Sequence, residues 1–436
     1  MTVVAKFGGS SLSDATQFEK VKQIVTTANQ RVIVVSALGK RSDADNKLTD
    51  LFYSVFENTS QSAYYDNLWQ EIVNRFLAVK AELNLTYDVA HQLDLIKQGL
   101  AARSLTVDYL VSRGEYLTAR LMSEYLGYTF YDAKDYIIFD GDGQVDYALS
   151  YANIATLPKD EKIIVPGFYG ACQGGKIKLF SRGGSDITGA IFAAGLKADV
   201  YENYSDVSGV LMADPRIVKN PAPIPVLTYD EMSAVANMGA QVLHRKSVYP
   251  VKKAGIPIHI KNTNAPMDAG TRIINASAGK EGITGFFGKI DYTFLTLHKN
   301  RAAVEIGFMR KVFEIFETYR INIEQSLTCI DQVGILVSSV DVKYTLEKVI
   351  HDLKELLGVT VVDVKEDMSL LGVFGRGMLN DPQFLMSLFA ALKDAGIKPE
   401  LIEQSPHGLS LVLGILNVDY HVAINVLYDQ LVRDIV

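Results

Sequence analysis

The chain has little cysteine, which argues against two kinds of architecture. Of its 436 residues, two are cysteines, Cys172 and Cys329, which lie far apart and form no CxxC pair. A disulfide framework or a zinc site of the usual spacing is therefore not indicated. The seven histidines show no HxH or HExxH spacing, so no metal site built from protein ligands is expected. Sparse cysteine agrees with a reducing compartment, and we expect a cytoplasmic protein.

Long apolar runs and an excess of positive charge are also missing. Charged residues interrupt each apolar stretch before it reaches the roughly 20 residues that a membrane-spanning helix needs. The first residues, Met1–Lys6, lead directly into a strand pattern, without the basic and apolar segments of a secretory signal. The net charge of −7 gives no general attraction to nucleic acid or anionic lipid. We therefore expect neither nucleic acid nor a membrane as a partner.

What the chain does contain is a regular alternation of strand and helix patterns. Hydrophobic residues make up 48% of the chain and charged residues 21%, which is typical of a globular α/β protein. The length exceeds what one hydrophobic core usually serves, so two or three domains are expected. From Val3 to about Ile274, short apolar runs alternate with segments of helical spacing. This predicts a first domain, residues 1–280, with a mostly parallel sheet flanked by helices.

A different pattern begins near residue 281. Residues 281–368 read as strand, helix, two strands, helix and strand, or βαββαβ, and residues 369–436 repeat this order without its last strand. The first of these strands is predicted at Tyr292–His298. Because an uncovered sheet edge is unfavourable, we expect an earlier segment, with Ile283–Gly288 the leading candidate, to complete the second unit, so that the two units interlock. A duplicated unit of this kind predicts a paired sensor of small molecules.

Two Gly-Gly turns in the first domain carry the chemistry. Lys6–Ser11 reads KFGGSS and Ser181–Asp186 reads SRGGSD, and each comes directly before a predicted helix. Free backbone N–H groups at such helix starts bind anionic oxygens. Neither turn is a Walker A loop or a GxGxxG motif, and two unrelated surface turns are the alternative interpretation. Two anion sites in one domain are nevertheless what a phosphoryl donor and an anionic acceptor require.

Weaker clusters add to this pattern. Tyr204–Gly209 and Ala213–Arg216 follow a predicted strand, where α/β folds place ligand loops. Ser112–Glu115 is predicted at a helix start, where an acid normally caps the helix. The segment after the second strand adds Ser36, Lys40 and Thr49.

Taken in chain order, these motifs resemble the signature stretches of the aspartate kinases, in the amino-acid kinase superfamily. They read KFGGSS, VSALGKR, SRGE, PGFYG to FSRGGSD, YSDVSGVLMADPR, MGAQVLH and IPIHIKN. The duplicated C-terminal units, 281–368 and 369–436, resemble the paired ACT regulatory domains of that family. The resemblance spans essentially the whole chain. It implies feedback-regulated phosphoryl transfer from ATP to the side-chain carboxylate of L-aspartate, which gives 4-phospho-L-aspartate for lysine, methionine and threonine synthesis.

The resemblance also implies roles for single residues. Lys6 and Asp186 would be catalytic, with Lys6 on the transferring phosphoryl group and Asp186 holding the catalytic cations in position. Besides Lys6, ATP would be bound by Gly8, Gly9, Ser10, Ser205, Asp206 and Arg216. Aspartate would be bound by Ser36, Thr49, Glu115, Arg182 and Ser185, with Glu115 on its ammonium. An amino-acid effector, expected to be L-lysine, would contact Gly307, Phe308, Met309, Glu324 and Thr328.

Some positions depart from the family pattern. Leu211 stands where many members have an aromatic residue near adenine, Gln241 where many have lysine, and Glu324 where aspartate is usual. In the regulatory region, the helical spacing of Phe313 and Phe316 predicts core packing for both. Pairing of ACT sheets is expected to give a homodimer or a dimer of dimers.

The implied chemistry needs no general base, because a carboxylate acceptor is already ionised at neutral pH. The barrier is electrostatic, so Lys6, backbone N–H groups and Mg²⁺ carried on the ATP phosphates are expected to offset the charge of two anions. An acyl phosphate hydrolyses readily, and a lid within Asn58–Ala102 is expected to exclude water. The alternatives are another kinase of the superfamily, acting on glutamate, acetylglutamate or a nucleotide monophosphate, and a catalytically inactive ligand sensor.

Overall fold

The computed structural model describes residues 2–58, 62–181, 183–240, 243, 245–275, 282–405 and 408–433. The chain divides into two compact units. The first consists of Met1–Val210, Pro223–Ala236 and Gln241–Ala278, and the second of Leu211–Ala222, Asn237–Ala240 and Gly279–Val436. Among the described helices, none combines the length and the apolar character needed to cross a membrane.

The first unit is an α/β domain. Its strands are β1 (Val3–Phe7), β2 (Val32–Val35), β3 (Thr129–Phe130), β4 (Ile138–Phe139), β5 (Ile163–Pro166), β6 (Tyr169–Cys172), β7 (Ile177–Leu179), β8 (Val200–Ser205), β9 (Val226–Thr228), β10 (Ile258–Asn262) and β11 (Thr271–Ile274). Its helices are α1 (Ala15–Thr27), α2 (Leu48–Glu57), α3 (Ser62–Glu82), α4 (Val89–Ala101), α5 (Val107–Leu126), α6 (Tyr147–Ile154), α7 (Gly184–Gly195), α8 (Tyr229–Asn237) and α9 (Arg245–Ala254).

The main sheet has eight strands in the order β3-β5-β2-β1-β8-β10-β11-β9. Its pairs are parallel apart from β10 with β11, so the predicted mostly parallel α/β class is confirmed. The central strands are apolar along their length because helices cover both faces of such a sheet; all four residues of β2 and of β5 are buried. A smaller sheet has the strand order β4-β6-β7.

The second unit is built on one antiparallel sheet. Its strands are β12 (Gly282–His298), β13 (Ile323–Thr328), β14 (Gln332–Ser338), β15 (Val361–Arg376), β16 (Leu401–Gln404) and β17 (Ser410–Leu416). They lie in the order β13-β14-β12-β15-β17-β16. Its helices are α10 (Phe308–Thr318), α11 (Ser339–Val342), α12 (Leu346–Leu357), α13 (Pro382–Asp394) and α14 (Tyr420–Tyr428).

The two repeats share their central strands, which differs from the separate short strands that the sequence predicts. Residues 282–289 and 292–298 belong to the one strand β12, and β15 is equally continuous. In β12 the register shifts between Lys289 and Tyr292. Asp291 there has φ 66°, and Asp367 in β15 has φ 56°, which is the local geometry of a bulge that bends a strand without ending it.

The first half of β12 pairs with the second half of β15. Ile283 lies opposite Gly375, and Gly288 lies opposite Leu371. On its other side, this half of β15 pairs with β17, where Leu371 lies opposite Leu413. The segment Ile283–Gly288 therefore extends the sheet of the second repeat.

Each repeat has its own apolar core. The first core includes Leu295, Val312, Phe316 and Val349. The second includes Leu388, Leu413 and Leu427, together with Ala213 and Val218 from the 211–222 segment. That segment therefore belongs to the second unit by its packing as well as by its contacts.

Candidate active site

The main sheet brings the predicted motifs to one edge. In register, Phe7 at the end of β1 lies beside Val35 at the end of β2 and Tyr204 near the end of β8. Because these strands are parallel, the residues that follow them leave the sheet at the same edge. The Gly8–Ser10 turn, Ser36 and Asp206 are therefore neighbours in space although they are far apart in sequence.

A cavity of about 820 Å³ lies at this edge. Nine of the predicted site residues line it: Lys6, Gly9, Ser10, Ser36, Thr49, Glu115, Ser185, Asp186 and Asp206. The volume is within the range of small-molecule sites in enzymes. The same lining also includes residues that the prediction of site residues did not contain, among them Arg41, Asp43, Lys47 and Phe168.

The pair of Lys6 and Asp186 lies in the wall of this cavity. The Lys6 Nζ atom is 2.6 Å from Asp186 Oδ1, and Asn203 Nδ2 donates to the same oxygen at 2.9 Å. Asn203 is buried on β8, and sequence reasoning missed its role. The available signal is a polar residue at a buried position of a central strand, where an unpartnered amide would be costly.

The first glycine turn presents backbone donors to the cavity. Gly9 and Ser10 are the first residues of a short 3-10 helix, Gly9–Leu12, so their N–H groups have no partner within the helix. The Gly8 N–H, in contrast, donates to the Tyr204 carbonyl at 3.0 Å. This hydrogen bond attaches the turn to β8, and the contact of Gly8 with ATP phosphates stays a prediction.

The second glycine turn starts α7. Gly183 has φ 71°, a conformation that favours glycine, and it is the N-cap residue of α7. This turn places Ser185, which is buried, and Asp186 in the first turn of the helix. Arg182 lies outside the described residues. Its predicted position on the aspartate side of the same cleft as Lys6 stays a prediction.

Glu115 is a buried acid with an altered ionisation. The SRGE motif predicts a helix start here, which is wrong: α5 begins at Val107, after the N-cap residue Thr106, and Glu115 lies well inside it. Its side chain is 3% exposed, and burial raises the pKa of this carboxyl to about 8 despite hydrogen bonds from the backbone N–H groups of Glu115 and Ala37. Among the described residues, Glu115 Oε2 has no hydrogen-bond partner.

Cations from the segment after β2 complete the lining. Lys40, Arg41 and Lys47 line the cavity together with Ser36 and Thr49. The Lys40 Nζ donates to the Asp43 carbonyl at 2.7 Å. The VSALGKR motif carries Lys40 and Arg41, so their presence is visible in the sequence, but their position at the cavity depends on how residues 38–47 are folded.

Phe168 is a further residue that sequence reasoning missed. It lines the cavity and has φ 75°, a strained conformation for a large side chain. The Phe168 N–H donates to Thr188 Oγ1 at 3.1 Å, on α7. The backbone of the PGFYG stretch is thereby held against the helix that carries Asp186.

The remaining nucleotide-side predictions concern residues that do not line the cavity. Ser205 ends β8, and its Oγ accepts a long hydrogen bond of 3.4 Å from the Val207 N–H. Arg216 belongs to the second unit, where its Nη2 lies 2.6 Å from Asp214 Oδ2. Their contacts with a nucleotide stay predictions. Gln241, which departs from the family pattern, lies outside the described residues.

The effector candidates surround α10 and β13. Phe308 is 1% exposed and belongs to the first core of the second unit, whereas Gly307 is the N-cap residue with φ 79°. Glu324 Oε1 lies 2.5 Å from Lys289 Nζ. Met309 is partly buried and Thr328 exposed.

The two other phenylalanines of α10 differ in their surroundings. Core packing is correct for Phe316, which is buried in the first core of the second unit. It is wrong for Phe313, which is 42% exposed, because α10 turns that position away from the sheet.

The carboxylates of the cavity lining are candidate ligands for a metal ion. Among the described residues there is no group of three or more His, Cys, Asp or Glu side chains arranged to hold one. Mg²⁺ is commonly bound through substrate phosphates and only one or two carboxylates. Asp186 and Asp206 line the cavity, so the donors present fit an ion that enters with a nucleotide.

Comparison with known proteins gives one consistent result. Residues 1–262 match the model of the amino acid kinase family. Aspartokinase 3 of Bacillus subtilis is 32% identical to the chain over 445 residues, which cover 98% of each protein. Lysine-sensitive aspartokinase 3 of Escherichia coli is 25% identical and is matched over 94% of this chain and 95% of its own length.

The solved structures agree with the sequence relatives. The crystal structure of the Clostridium acetobutylicum aspartate kinase has a TM-score of 0.90 and 37% identity to the chain, and the likeness covers 98% of this chain and 99% of the other. The chain therefore belongs to the amino acid kinase family and, within it, to the aspartokinases.

Proposed function

We propose that the chain transfers the γ-phosphoryl group of ATP to the side-chain carboxylate of L-aspartate, which gives 4-phospho-L-aspartate, the first step in making lysine, methionine and threonine. The observation that carries the proposal is the Lys6–Asp186 ion pair in the wall of a cavity that also contains Gly9, Ser10 and Glu115. Cations and N–H donors for phosphates thus lie in the same cavity as a buried acid suited to an ammonium group.

The donor side of the reaction is supplied by the glycine turn and Lys6. The N–H groups of Gly9 and Ser10 lie at a helix start, which is a site for phosphate oxygens. Lys6 stabilises the charge of the transferring phosphoryl group, and Asp186 with Asn203 fixes the Lys6 ammonium. Such prearranged charge is the main source of rate in phosphoryl transfer.

The acceptor side needs orientation and not deprotonation. The side chain of free aspartate has a pKa of roughly 4, so it enters as a carboxylate. Ser36, Thr49, Glu115, Arg182 and Ser185 would hold it, with Glu115 on the α-ammonium. Holding both reactants in line converts a two-molecule encounter into a reaction within one complex.

Mg²⁺ belongs to the proposal as an ion carried by ATP. Asp186 and Asp206 are the carboxylates of the cavity lining that we assign to it. When bound, the ion would offset the negative charge of the phosphates. The chain's own part is to leave room for the ion and to offer these two carboxylates.

Regulation would reside in the second unit. We place L-lysine as its effector, in agreement with the lysine-sensitive relative from Escherichia coli, at Gly307, Met309, Glu324 and Thr328. A homodimer or dimer of dimers through the β12–β17 sheet is part of the same proposal, since an edge strand such as β13 offers backbone groups for pairing with another chain.

The experiment is a hydroxamate assay of acyl phosphate with ATP and L-aspartate. Wild-type protein should give product with aspartate and little or none with glutamate, N-acetylglutamate or a nucleotide monophosphate. Lys6→Ala should abolish turnover, whereas Lys97→Ala, which removes an exposed lysine paired with Asp66 on α3, should keep it. Product from another acceptor would favour a different kinase of the family, and no product with any acceptor would favour an inactive ligand sensor.

A further inference from the structure

Helix α3 carries an arginine on its buried face. Trp69, Ile72, Phe76 and Val79 make that face apolar, and Arg75, in the middle of it, is 3% exposed. Arginine is almost never fully buried unless its charge and its donors are matched by partners. The partners of Arg75 therefore indicate what this residue is for.

The guanidinium of Arg75 connects the two ends of the segment 38–46. Its Nη1 donates to the Asn46 carbonyl at 2.8 Å, and its Nη2 donates to the carbonyl of Gly39 and, at 3.5 Å, to that of Leu38. All hydrogen bonds described for Arg75 thus run to this one segment. Three carbonyl oxygens from both ends of a loop converge on a single side chain.

Asp45 completes the arrangement with charge. Its Oδ2 lies 3.7 Å from Arg75 Nη2. The same carboxylate accepts from the Arg41 backbone N–H at 3.0 Å and from Arg41 Nε at 2.9 Å. Arg41 lines the active-site cavity, so the ion pair ties the cavity-lining part of the segment to α3.

The segment is in turn pressed against the phosphate turn. A Cβ atom built on Gly39 would lie 2.1 Å from the Gly9 carbonyl oxygen and 2.6 Å from the Ser10 nitrogen. Real Cβ atoms do not approach other atoms so closely, hence only glycine fits at position 39 without displacing the turn. The position of Gly39 therefore fixes how far the Gly9–Ser10 N–H groups lie from the segment that leads to Thr49.

We propose that Arg75 is a positioning residue for the reaction. It holds residues 38–46 directly and, through Gly39, holds the Gly8–Ser10 turn in place. In this way it sets the spacing between the nucleotide side and the acceptor side of the cavity. Arg75 itself does not line the cavity and acts through Gly39 and Asp45. The inference rests on the proposed function, because it assigns the spacing to ATP and aspartate. It gives α3 a fixed role, different from that of the lid expected in Asn58–Ala102.

The expected size of the effect follows from geometry. Removing the guanidinium leaves the carbonyls of Leu38, Gly39 and Asn46 without this partner and takes one of its two cations from Asp45, which favours a shift of the segment. A displacement of about 1 Å between reacting groups costs on the order of 100-fold in rate. Loss of Arg75 should therefore lower activity far more than a substitution elsewhere on α3 that costs the same stability.

The test compares Arg75→Met and Arg75→Lys with two controls on the same helix. Ile72→Ala opens a cavity in the same buried face, and Lys80→Met removes a cation that is not fully buried. Unfolding is followed by the fluorescence of Trp69, the single tryptophan of the chain. ADP binding is measured by calorimetry, and kcat and KM for ATP and for aspartate by product formation.

Arg75→Met should lower kcat/KM for ATP on the order of 100-fold and weaken ADP binding. The kcat/KM of Arg75→Lys should lie between those of Arg75→Met and wild type, because one ammonium cannot reach both ends of the segment. Ile72→Ala should lose about as much unfolding temperature as Arg75→Met but keep kinetics close to those of wild type. Lys80→Met should also keep wild-type kinetics. Gly39→Ala should give the same kinetic change as Arg75→Met, which keeps the test open if Arg75→Met does not fold.

Equal kinetic losses in Arg75→Met and Ile72→Ala would overturn the positioning role and leave Arg75 a residue of stability alone. So would wild-type kinetics in Arg75→Lys together with wild-type kinetics in Gly39→Ala. Failure of the proposed function is distinct, since wild-type protein would then form no acyl phosphate from aspartate while the effect of Arg75→Met on ADP binding could still be measured.

Discussion

Lys6 and Asp186 form an ion pair of 2.6 Å, although one lies near the end of the first strand and the other at the start of a helix far along the chain. Asn203 on β8 donates to the same Asp186 oxygen, so the pair is held from the sheet as well as from α7. A lysine tied in this way has a defined position before any nucleotide binds. This preorganisation is what a phosphoryl-transfer site needs.

The first prediction concerns Asp186. Asp186→Asn keeps a hydrogen-bond acceptor for Asn203 but removes the charge that holds Lys6, so kcat should fall on the order of 100-fold or more. The measurement is steady-state kinetics with ATP and aspartate. Asp268→Asn, at an exposed carboxylate bound by Ser208, is the control and should behave like wild type. An Asp186→Asn enzyme with wild-type kcat would show that the ion pair is not part of the catalytic arrangement.

The second prediction is a pH dependence of aspartate binding. With a pKa of about 8 in the folded protein, Glu115 is mostly neutral at pH 7, and its ionised fraction rises about tenfold per pH unit below that value. If Glu115 binds the substrate ammonium, KM for aspartate should fall as pH rises from about 6 to 8 and level off above. Glu115→Gln should raise KM and remove this slope. A KM that does not change across this range in wild type would exclude this role.

The third prediction concerns stability and the same carboxyl. Its pKa is raised in the folded state from the usual 4.5, so the folded state holds the proton more tightly than the unfolded state. The contribution of Glu115 is therefore most favourable below about pH 4.5 and is lost as pH rises towards 8. Glu115→Gln should show a smaller decrease in unfolding temperature between about pH 5 and 8 than wild type. Parallel decreases in the two proteins would contradict the raised pKa.

The fourth prediction concerns the effector. The Lys289 ammonium is paired with the Glu324 carboxylate in this structure, so an effector ammonium that binds Glu324 must displace Lys289. Lys289→Ala should lower the L-lysine concentration for half-inhibition, while Glu324→Gln should raise it, both with little change in kcat. Lys365→Ala, which removes a comparable pair with Glu400, is the matched control. Unchanged lysine inhibition in both Lys289→Ala and Glu324→Gln would place the effector elsewhere.

The fifth prediction separates packing from binding at Phe308. This side chain is buried against the first core of the second unit, with Lys299 Nζ 5.1 Å from its ring centroid. Phe308→Ala should cost about 3 to 5 kcal/mol of unfolding free energy, measured by denaturant unfolding. Phe313→Ala, at an exposed position of the same helix, should cost far less. A small cost at Phe308 combined with lost inhibition would instead favour a direct effector contact.

Several features of the fold can be predicted because they depend on local pattern. β1 spans Val3–Phe7 as its apolar run indicates, and the glycine pairs after β1 and before α7 mark where the chain turns into a helix. Such signals lie within a few residues of the structure that they specify. They also indicate the parallel sheet and the two repeats of the second unit.

The errors share a different origin. The SRGE motif, considered alone, predicts a helix start at Glu115, whereas the helix begins earlier, at Val107. The sequence predicts Ile283–Gly288 and Tyr292–His298 as two strand segments, but a bulge near Asp291 bends the strand and pairing continues through it. Helical spacing predicts a core position for Phe313 because spacing alone does not show where the buried face ends.

By itself, the sequence determined which groups the first unit can offer: two glycine turns, the cations Lys6 and Lys40, and the acids Glu115 and Asp186. Tertiary structure alone decided that strand ends in parallel register bring them to one cavity, that burial makes Glu115 a weak acid, and that Arg75 holds the segment beside the phosphate turn. The physical reason is that ionisation and distance depend on neighbours contributed by remote parts of the chain, and those neighbours are set by the packing of the whole unit.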